Sequence, residues 1–259
     1  MPRPPSYFRA SGRRKVAAVS DPSSYVYCPP SQRVEVDACR ALLDAVGAGL
    51  WVTAAEGAVP SATLLPTVWD GDRLIAHASG HNEQFTSLTG PIACRVVVQG
   101  ADAYISPRWY PSIQPAAEGG AAKGRAEGRA VGTWNYEQVQ IAGVLRTYTD
   151  PERLSAEVTR LGELHDGRRI AEGCPADAHR GPWRRDEIPA NFFSAMLRGI
   201  IGLELEITDV VGRFKLAQHR TEQDREGVID GLASRGRPVD LAVAEAMRAA
   251  KPLYEPGLD

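Results

Sequence analysis

Cysteine is scarce and scattered in this chain of 259 residues: Cys28, Cys39, Cys94 and Cys174 lie far apart. They form no C-x-x-C pair and no metal-ligand spacing, which argues against a zinc ribbon and against a disulfide framework. Free thiols in a reducing cytoplasm are the expectation. A surplus of one charge is also missing. Thirty Lys+Arg stand against 32 Asp+Glu, for a net charge of −2, so no global basic field supports a DNA-coating protein. No apolar run is long enough to span a bilayer. The stretch from Met1 to Lys15 has basic residues and prolines but no apolar core behind them, unlike a secretory signal. There is no G-x-G-x-x-G or P-loop, no G-x-S-x-G elbow and no H-E-x-x-H helix, so the usual nucleotide cradles, serine hydrolases and zincins have no support.

What is present reads as a folded protein. A chain 43% hydrophobic and 24% charged is not disordered throughout. Residues 1–24, rich in Pro, Arg and Ser, read as a flexible arm, and residues 25–259 as a single domain. Val36, Cys39, Leu42, Leu43 and Val46 recur at helical spacing, predicting a helix over about 32–46 that ends at Gly47 and Gly49. A β-rich block follows: Leu50–Ala54, Ala62–Trp69, the Asp70-Gly71 turn, Leu74–Ala78, Cys94–Val98, Asp102–Ser106 and one long run from Thr133 to Tyr148. Pro115 to Gly132, full of Ala and Gly, predicts a loop that is either a lid or a solvated insertion. The C-terminal part predicts helices over 151–164, 189–200, 221–232 and 239–250. Between the second and third of these fall an alternating strand, 203–207, and a continuation at 214–216. The pattern is α+β: an antiparallel barrel with flanking and C-terminal helices.

Chemistry-bearing residues fall into three clusters. Tyr104, Trp109 and Tyr110 surround a proline-fixed turn, and Thr133-Trp134-Asn135-Tyr136 lies across the loop. Residues two apart on a strand share a face, so Trp134 and Tyr136 look one way and Thr133 and Asn135 the other. An aromatic wall with amides and hydroxyls nearby suits a flat heteroaromatic ligand. The same rings would serve equally to pack a barrel end or a dimer interface. The third cluster, Phe214 to Arg220, carries Lys215, Gln218 and Arg220, which suit a phosphate or carboxylate or else form a solvated strand end before a helix cap at Thr221. His77 and His81 straddle a strand end and make a weak metal pair. Glu204 and Glu206 share a strand face and look exposed.

In this order the clusters resemble the PaiB-like family, the FMN-binding negative transcriptional regulators. The matching text is Ala103 to Pro111, Thr133 to Tyr136, Met196 to Gly202, Ile207-Thr208, Gly212 to Gln218, and Asp224 to Val228. The resemblance implies an FMN-binding split barrel, a homodimer with its cofactor at the subunit interface, and a small-molecule substrate. The family also includes heme-dependent piperazate synthases, so it implies FMN or heme. For FMN, Ser79, Lys215 and Arg220 are candidate phosphate partners and Trp109 or Trp134 a stacking ring. Asn82, Tyr110, Thr133, Asn135 and Gln218 complete the candidate cofactor residues. For heme, His77 is the implied iron ligand, with Gln140, Tyr104 or His81 on the distal side. His77 and Tyr104 are the candidate catalytic residues, and activation of an N–O bond in a small nitrogen-containing metabolite, with N–N bond formation, is the implied chemistry. A transcriptional regulator and a cofactor-free scaffold are the alternatives. The chain departs from the family text at Ala76 to Glu83, where His77 and Asn82 are kept but the usual Arg and Pro are not. Leu64 replaces a usual His before Leu65-Pro66, and Gln140 replaces another, as it does in piperazate synthases.

Overall fold

The computed structural model describes residues 26–55, 57–113, 131–173 and 181–253. The predicted arm and nearly all of the predicted loop at 115–132 lie outside the described residues. The elements run β1 (Arg33–Val34), α1 (Val36–Val46), β2 (Ala48–Thr53), β3 (Ser61–Pro66), β4 (Val68–Asp70), β5 (Arg73–Ser79), α2 (Glu83–Thr86), β6 (Ile92–Ile105), β7 (Thr133–Tyr148), α3 (Pro151–Ala171), α4 (Ala190–Leu197), β8 (Ile200–Lys215), α5 (Glu222–Arg235) and α6 (Pro238–Ala249). Every strand pairing is antiparallel, in the order β3-β2-β6-β7-β8-β5-β4, with β1 added to β8. The sheet curls into an antiparallel split β-barrel with helices at its ends and on its outside.

Two strands are longer than their sequence segments suggest. Cys94–Val98 and Asp102–Ser106 belong to one strand of 14 residues, kinked by a register shift between Gln99 and Asp102. The segments 203–207 and 214–216 are parts of one strand of 16 residues. The helix predicted to reach Ile200 stops at Leu197, because Ile200 pairs with Ser79. Conversely, Ala62–Trp69 breaks at Thr67. The Thr67 hydroxyl accepts from Trp51 Nε1 at 3.0 Å and donates to the Leu65 carbonyl, so the buried indole turns the chain from β3 into β4. At the β4–β5 turn the two loop residues are Gly71 and Asp72, with Gly71 at φ +60°, the glycine-first geometry that matches strand twist. The helix predicted over 151–164 continues to Ala171.

The inner face holds the main core: Leu43 of α1, Trp51, Leu74, Phe85, Val96, Val98, Val139, Ile141, Leu203 and Leu205. Alternation puts them there, since residues two apart on a strand share a face. The short helix α2, unforeseen in the sequence, plugs the open seam with Phe85. Asn82 caps α2 by accepting from Gln84 N and donates to Thr63, while Gln84 donates to the Trp51 and Ser61 carbonyls. A second core forms where α5 and α6 cover the far ends of β6 and β8, around Ile105, Tyr110, Leu216, Val228, Leu232 and Met247. Arg225, buried there, donates to the carbonyls of Leu216, Met247 and Ala250 and ties both helices to β8.

Sharp curvature is concentrated at the β7–β8 bulge, where Ala142 pairs with Asp209 but Gly143 pairs with Ile207. A Cβ on Gly143 would lie 2.1 Å from the Glu206 carbonyl oxygen, which is backbone and has nowhere to retreat. Gly143→Ala is expected to destabilise the fold by about 1–3 kcal/mol, the usual range for overpacking, read as a lower urea midpoint. Thr208→Ala, one residue away in space, should shift it far less.

Candidate functional site

The sequence-predicted residues do not converge within one chain; the structure sets them in three places. His77, Ser79, His81 and Asn82 lie at the β5 end. Tyr104, Thr133, Trp134 and Lys215 lie at the other end of the sheet. Ser79 pairs with Ile200 and Lys215 pairs with Tyr136, the two ends of β8, so these two candidate phosphate partners are separated by up to roughly 50 Å of extended strand. Trp109, Tyr110, Asn135, Gln218 and Arg220 belong to the helical end and are occupied there.

Those last five have structural partners. Asn135 is buried and donates to Met247 Sδ. Gln218 accepts from Leu216 N and donates to the Phe214 carbonyl, stabilising the turn in which Ala217 takes φ +59°. Tyr110 is buried with the Arg220 guanidinium 4.5 Å over its ring, and Trp109 sits under Arg235. Arg220 Nε is buried with no hydrogen-bond partner among the described residues. Ser79 Oγ accepts from His81 N, and Asn82 holds the seam.

The outer face of β6–β7–β8 is different. Trp134 and Tyr104 are 49% and 42% exposed, tilted at 57° with centroids 6.2 Å apart. Trp134 Nε1 donates to Asp102 at 2.8 Å. Below them runs a chain of hydrogen bonds in which Arg95 donates to Gln140, Gln140 to Gln138 and Gln138 to Gln99. Gln99, Asp102, Trp134, Tyr136 and Gln138 line an open hollow of about 220 Å³. Beside it Arg213 packs over Tyr136, and Lys215 donates to Thr133 at 2.5 Å. No described carboxylate forms an ion pair with Arg213 or Lys215. Burial, and then the Arg213 charge, hold the Lys215 ammonium below its usual range. An anion placed there would relieve both effects. Gln99, Asp102, Gln138 and Arg213 were not among the sequence candidates. The period-two alternation that set Trp134 beside Tyr136 extends to Gln138 and Gln140, and following it further along β7 finds the amide row.

His77 faces the other side of the molecule. Its side chain forms no hydrogen bond among the described residues, and burial lowers its pKa, which keeps the imidazole neutral. It lines a void of about 20 Å³ with Val68, Ile75, Ala76, Glu157, Arg160 and Leu161. Around that void Glu204, predicted to be exposed, is half-buried and accepts from Arg73 at 2.8 Å and Arg153 at 2.5 Å. Burial alone would raise the Glu204 pKa, but those two guanidinium bonds more than offset it. Arg153 also donates to Glu157 at 3.0 Å, a contact that favours the carboxylate. It is shared with Glu204, however, and burial together with the Glu204 charge pushes Glu157 up to about 7.

These geometries test the two cofactors. The outer hollow fits a flavin: indole and phenol rings offer a flat wall, amides meet a heterocycle's carbonyl and N–H edge, and two cations that pair with no described carboxylate suit a phosphate. It covers one face of such a ring only. His77 fits heme by donor chemistry but not by space, since a void the size of one water admits no macrocycle while α3 lies over it. Among the described residues no group of three or more His, Cys, Asp or Glu is placed to hold a metal ion, so His77 and His81 form no such site. No helix among them is long and apolar enough to cross a membrane.

The chain is similar to known proteins along most of the described residues. The family model described as "Putative FMN-binding domain" matches residues 26–209, and the chain belongs to that FMN-binding family. An uncharacterized protein of Aspergillus fumigatus is 29% identical over 170 residues, covering 64% of this chain and 61% of its own. The chain therefore spans less than two thirds of that relative. The protease synthase and sporulation protein PAI 2 of Bacillus subtilis is 27% identical over 203 residues, covering 77% and 84%. That match and the family model place the chain in the PaiB-like group its motifs resemble. Among solved structures, the FAD and heme binding protein from Mycobacterium smegmatis aligns at 16% identity over 71% of this chain and 73% of its own, with a TM-score of 0.46. The family model names FMN as the cofactor class.

The Glu157 carboxyl gives a pH test. Its folded pKa lies above the ordinary 4.5, so the stability that its protonated form contributes is present below pH 4.5 and lost as pH rises through about 7. Glu157→Gln is expected to flatten the wild-type decline between pH 4.5 and 7 by up to about 3 kcal/mol, measured by urea unfolding across that range. Parallel curves for the two proteins would contradict it.

Proposed function

We propose that this protein is a redox enzyme that binds FMN between two copies of the chain, on the outer face of β6–β7–β8, and acts on a small nitrogen-containing metabolite. One observation carries the reading: an exposed Trp134 and Tyr104 standing over a hydrogen-bonded row of amides, next to two cations that pair with no carboxylate among the described residues. Exposed aromatics seldom stand alone beside ordered amides without a ligand or partner to cover them. The hollow walls one face of a flat ring, and a second copy supplies the other. Continuing across the same sheet face, Leu50 and Leu64 are exposed next to a shallow apolar depression lined by Val52, Ala93, Ala142 and Val144. That surface supports self-association through β2, β3 and β6.

In this site Lys215 and Arg213 bind the phosphate, Trp134 stacks on the ring system, and Gln99 and Gln138 fix its orientation through its polar edge. Asp102 holds the indole at its chosen angle through Nε1. Bound FMN supplies one- or two-electron transfer. Tyr104, beside Trp134, is the phenol positioned to hold or release a proton at a substrate heteroatom. A second reading, heme at His77, is favoured by the neutral imidazole that forms no hydrogen bond among the described residues, and it requires α3 to move.

The absorbance of the purified protein separates the two readings. Twin flavin bands are expected, and a Soret band in their place would favour His77. Trp134→Ala and Lys215→Ala should each weaken FMN binding roughly tenfold or more, equivalent to about 1.4 kcal/mol or above, in a flavin-fluorescence quenching titration. Ser79→Ala, at the far end of β8, should leave it unchanged. Affinity untouched by both Trp134→Ala and Lys215→Ala would refute the placement.

A further inference from the structure

Strand β5 pairs with β8 only as far as Glu206, and beyond it the edge of β8 is taken by β1, with Val34 opposite Gly212 and Arg33 opposite Arg213. The residues leading into β1 are held there as well. Cys28 Sγ donates to the Gly212 carbonyl at 3.6 Å. A Cβ on Gly212 would lie 2.4 Å from Cys39 Sγ and 2.5 Å from Val34 Cγ2, so the missing side chain lets the segment lie close against the sheet.

That segment encloses Arg213. The guanidinium lies 5.1 Å from the Tyr27 ring centroid and 5.4 Å from that of Tyr136. Its Nε donates to Gln32 Oε1 at 2.9 Å and its Nη1 to the Tyr27 carbonyl at 3.3 Å. Nη2 makes no hydrogen bond among the described residues. Register partners in an antiparallel pair share a face, so Arg33 stands directly across from Arg213, an arrangement in which like charges repel. Lys215, two residues further along β8, is on that face too. None of the three forms an ion pair with a described carboxylate. Three cations thus crowd one patch, beside a Tyr27 that is 76% exposed. Crowding of one sign costs stability that a bound anion offsets.

We propose that residues 27–33 complete the phosphate end of the flavin site. Arg33 is a third cation on the phosphate, and Gln32 with the Tyr27 carbonyl positions Arg213 so that Nη2 is the arm left for the ligand. The ligand's identity rests on the flavin reading, while the place of the anion rests on the cation patch alone. Such a patch selects a phosphate monoester over its dephosphorylated counterpart, because an uncharged hydroxyl gains little from guanidinium and ammonium groups.

The test compares FMN with riboflavin, which keeps the ring system and lacks the phosphate, by fluorescence quenching. Arg33→Gln and Gln32→Ala should each weaken FMN binding roughly fivefold or more and leave riboflavin affinity unchanged. Trp134→Ala should weaken both flavins alike. In chloride buffer Arg33→Gln should not lower the urea midpoint, since it removes a repulsion, whereas loss of a packing residue would lower it. Inorganic phosphate reads the patch without a flavin. At constant ionic strength, exchanging chloride for phosphate should raise the urea midpoint of the wild type more than that of either variant. If FMN affinity and phosphate response in both variants match the wild type, the role of residues 27–33 is overturned, and the flavin reading stands provided Trp134→Ala still weakens both flavins. Parallel losses of FMN and riboflavin affinity in Arg33→Gln and Gln32→Ala would assign these residues to packing and overturn the proposal as well. A wild type that binds neither flavin, yet shows a phosphate response that Arg33→Gln abolishes, overturns the flavin reading and leaves the anion patch established.

Discussion

Everything in this protein depends on one sheet having two unlike faces while bending enough to enclose a core. Three strands of 14 to 16 residues cannot curl that far with regular pairing. They bend at the Gln99/Asp102 irregularity in β6 and at the Ala142/Gly143 bulge between β7 and β8. Because side chains alternate, the bend sends Val139 and Ile141 inward with Leu203 and Leu205, and leaves Trp134, Tyr136, Gln138 and Gln140 outside. The candidate flavin surface is a consequence of that division, since an amide row of this kind has no place in a barrel interior.

The polar residues outside the core do two kinds of work. Some are structural. Arg225 and Asp240 pin α5 and α6 through buried charge-assisted hydrogen bonds, and Asp240, held far below the usual carboxylate range by Arg237 and Arg235, stays ionised although its side chain is buried. Others are left with chemical capacity to spare. Among the described residues Lys215 and Arg213 pair with no carboxylate and the His77 side chain forms no hydrogen bond, while Trp134 is half exposed. Groups of the second kind collect at two distant places, the outer face of β6–β7–β8 and the half-buried His77 on β5.

Much of this was legible beforehand. The Trp134/Tyr136 alternation, the β4–β5 turn, the apolar stripe of α1 and the cap at Thr221 are local effects of spacing and turn chemistry, and they form where the residues dictate. The length of β6 and β8 was less legible, because each reads as two shorter segments, 94–98 with 102–106 and 203–207 with 214–216. They are held in register only by β7, whose sixteen residues template both neighbours. Trp109, Tyr110 and Gln218 looked like ligand contacts because their types suit the task. Their neighbours in space, Arg235, Arg220 and the Phe214 carbonyl, give them structural partners already.

By itself, then, the order of residues determined the alternating pattern, the helix stripes, the family and the kinds of side chain available for a flat redox cofactor. These follow from periods of two and 3.6 residues, which operate over a few neighbours. Only the tertiary structure decided which of those side chains meet. It put Ser79, on β5, beside the end of β8 opposite to Lys215, set Arg213 and Lys215 beside Tyr136 and Trp134, and laid α3 next to His77. Such contacts join residues tens of positions apart, and they exist only once the curled sheet has brought its edges and faces together.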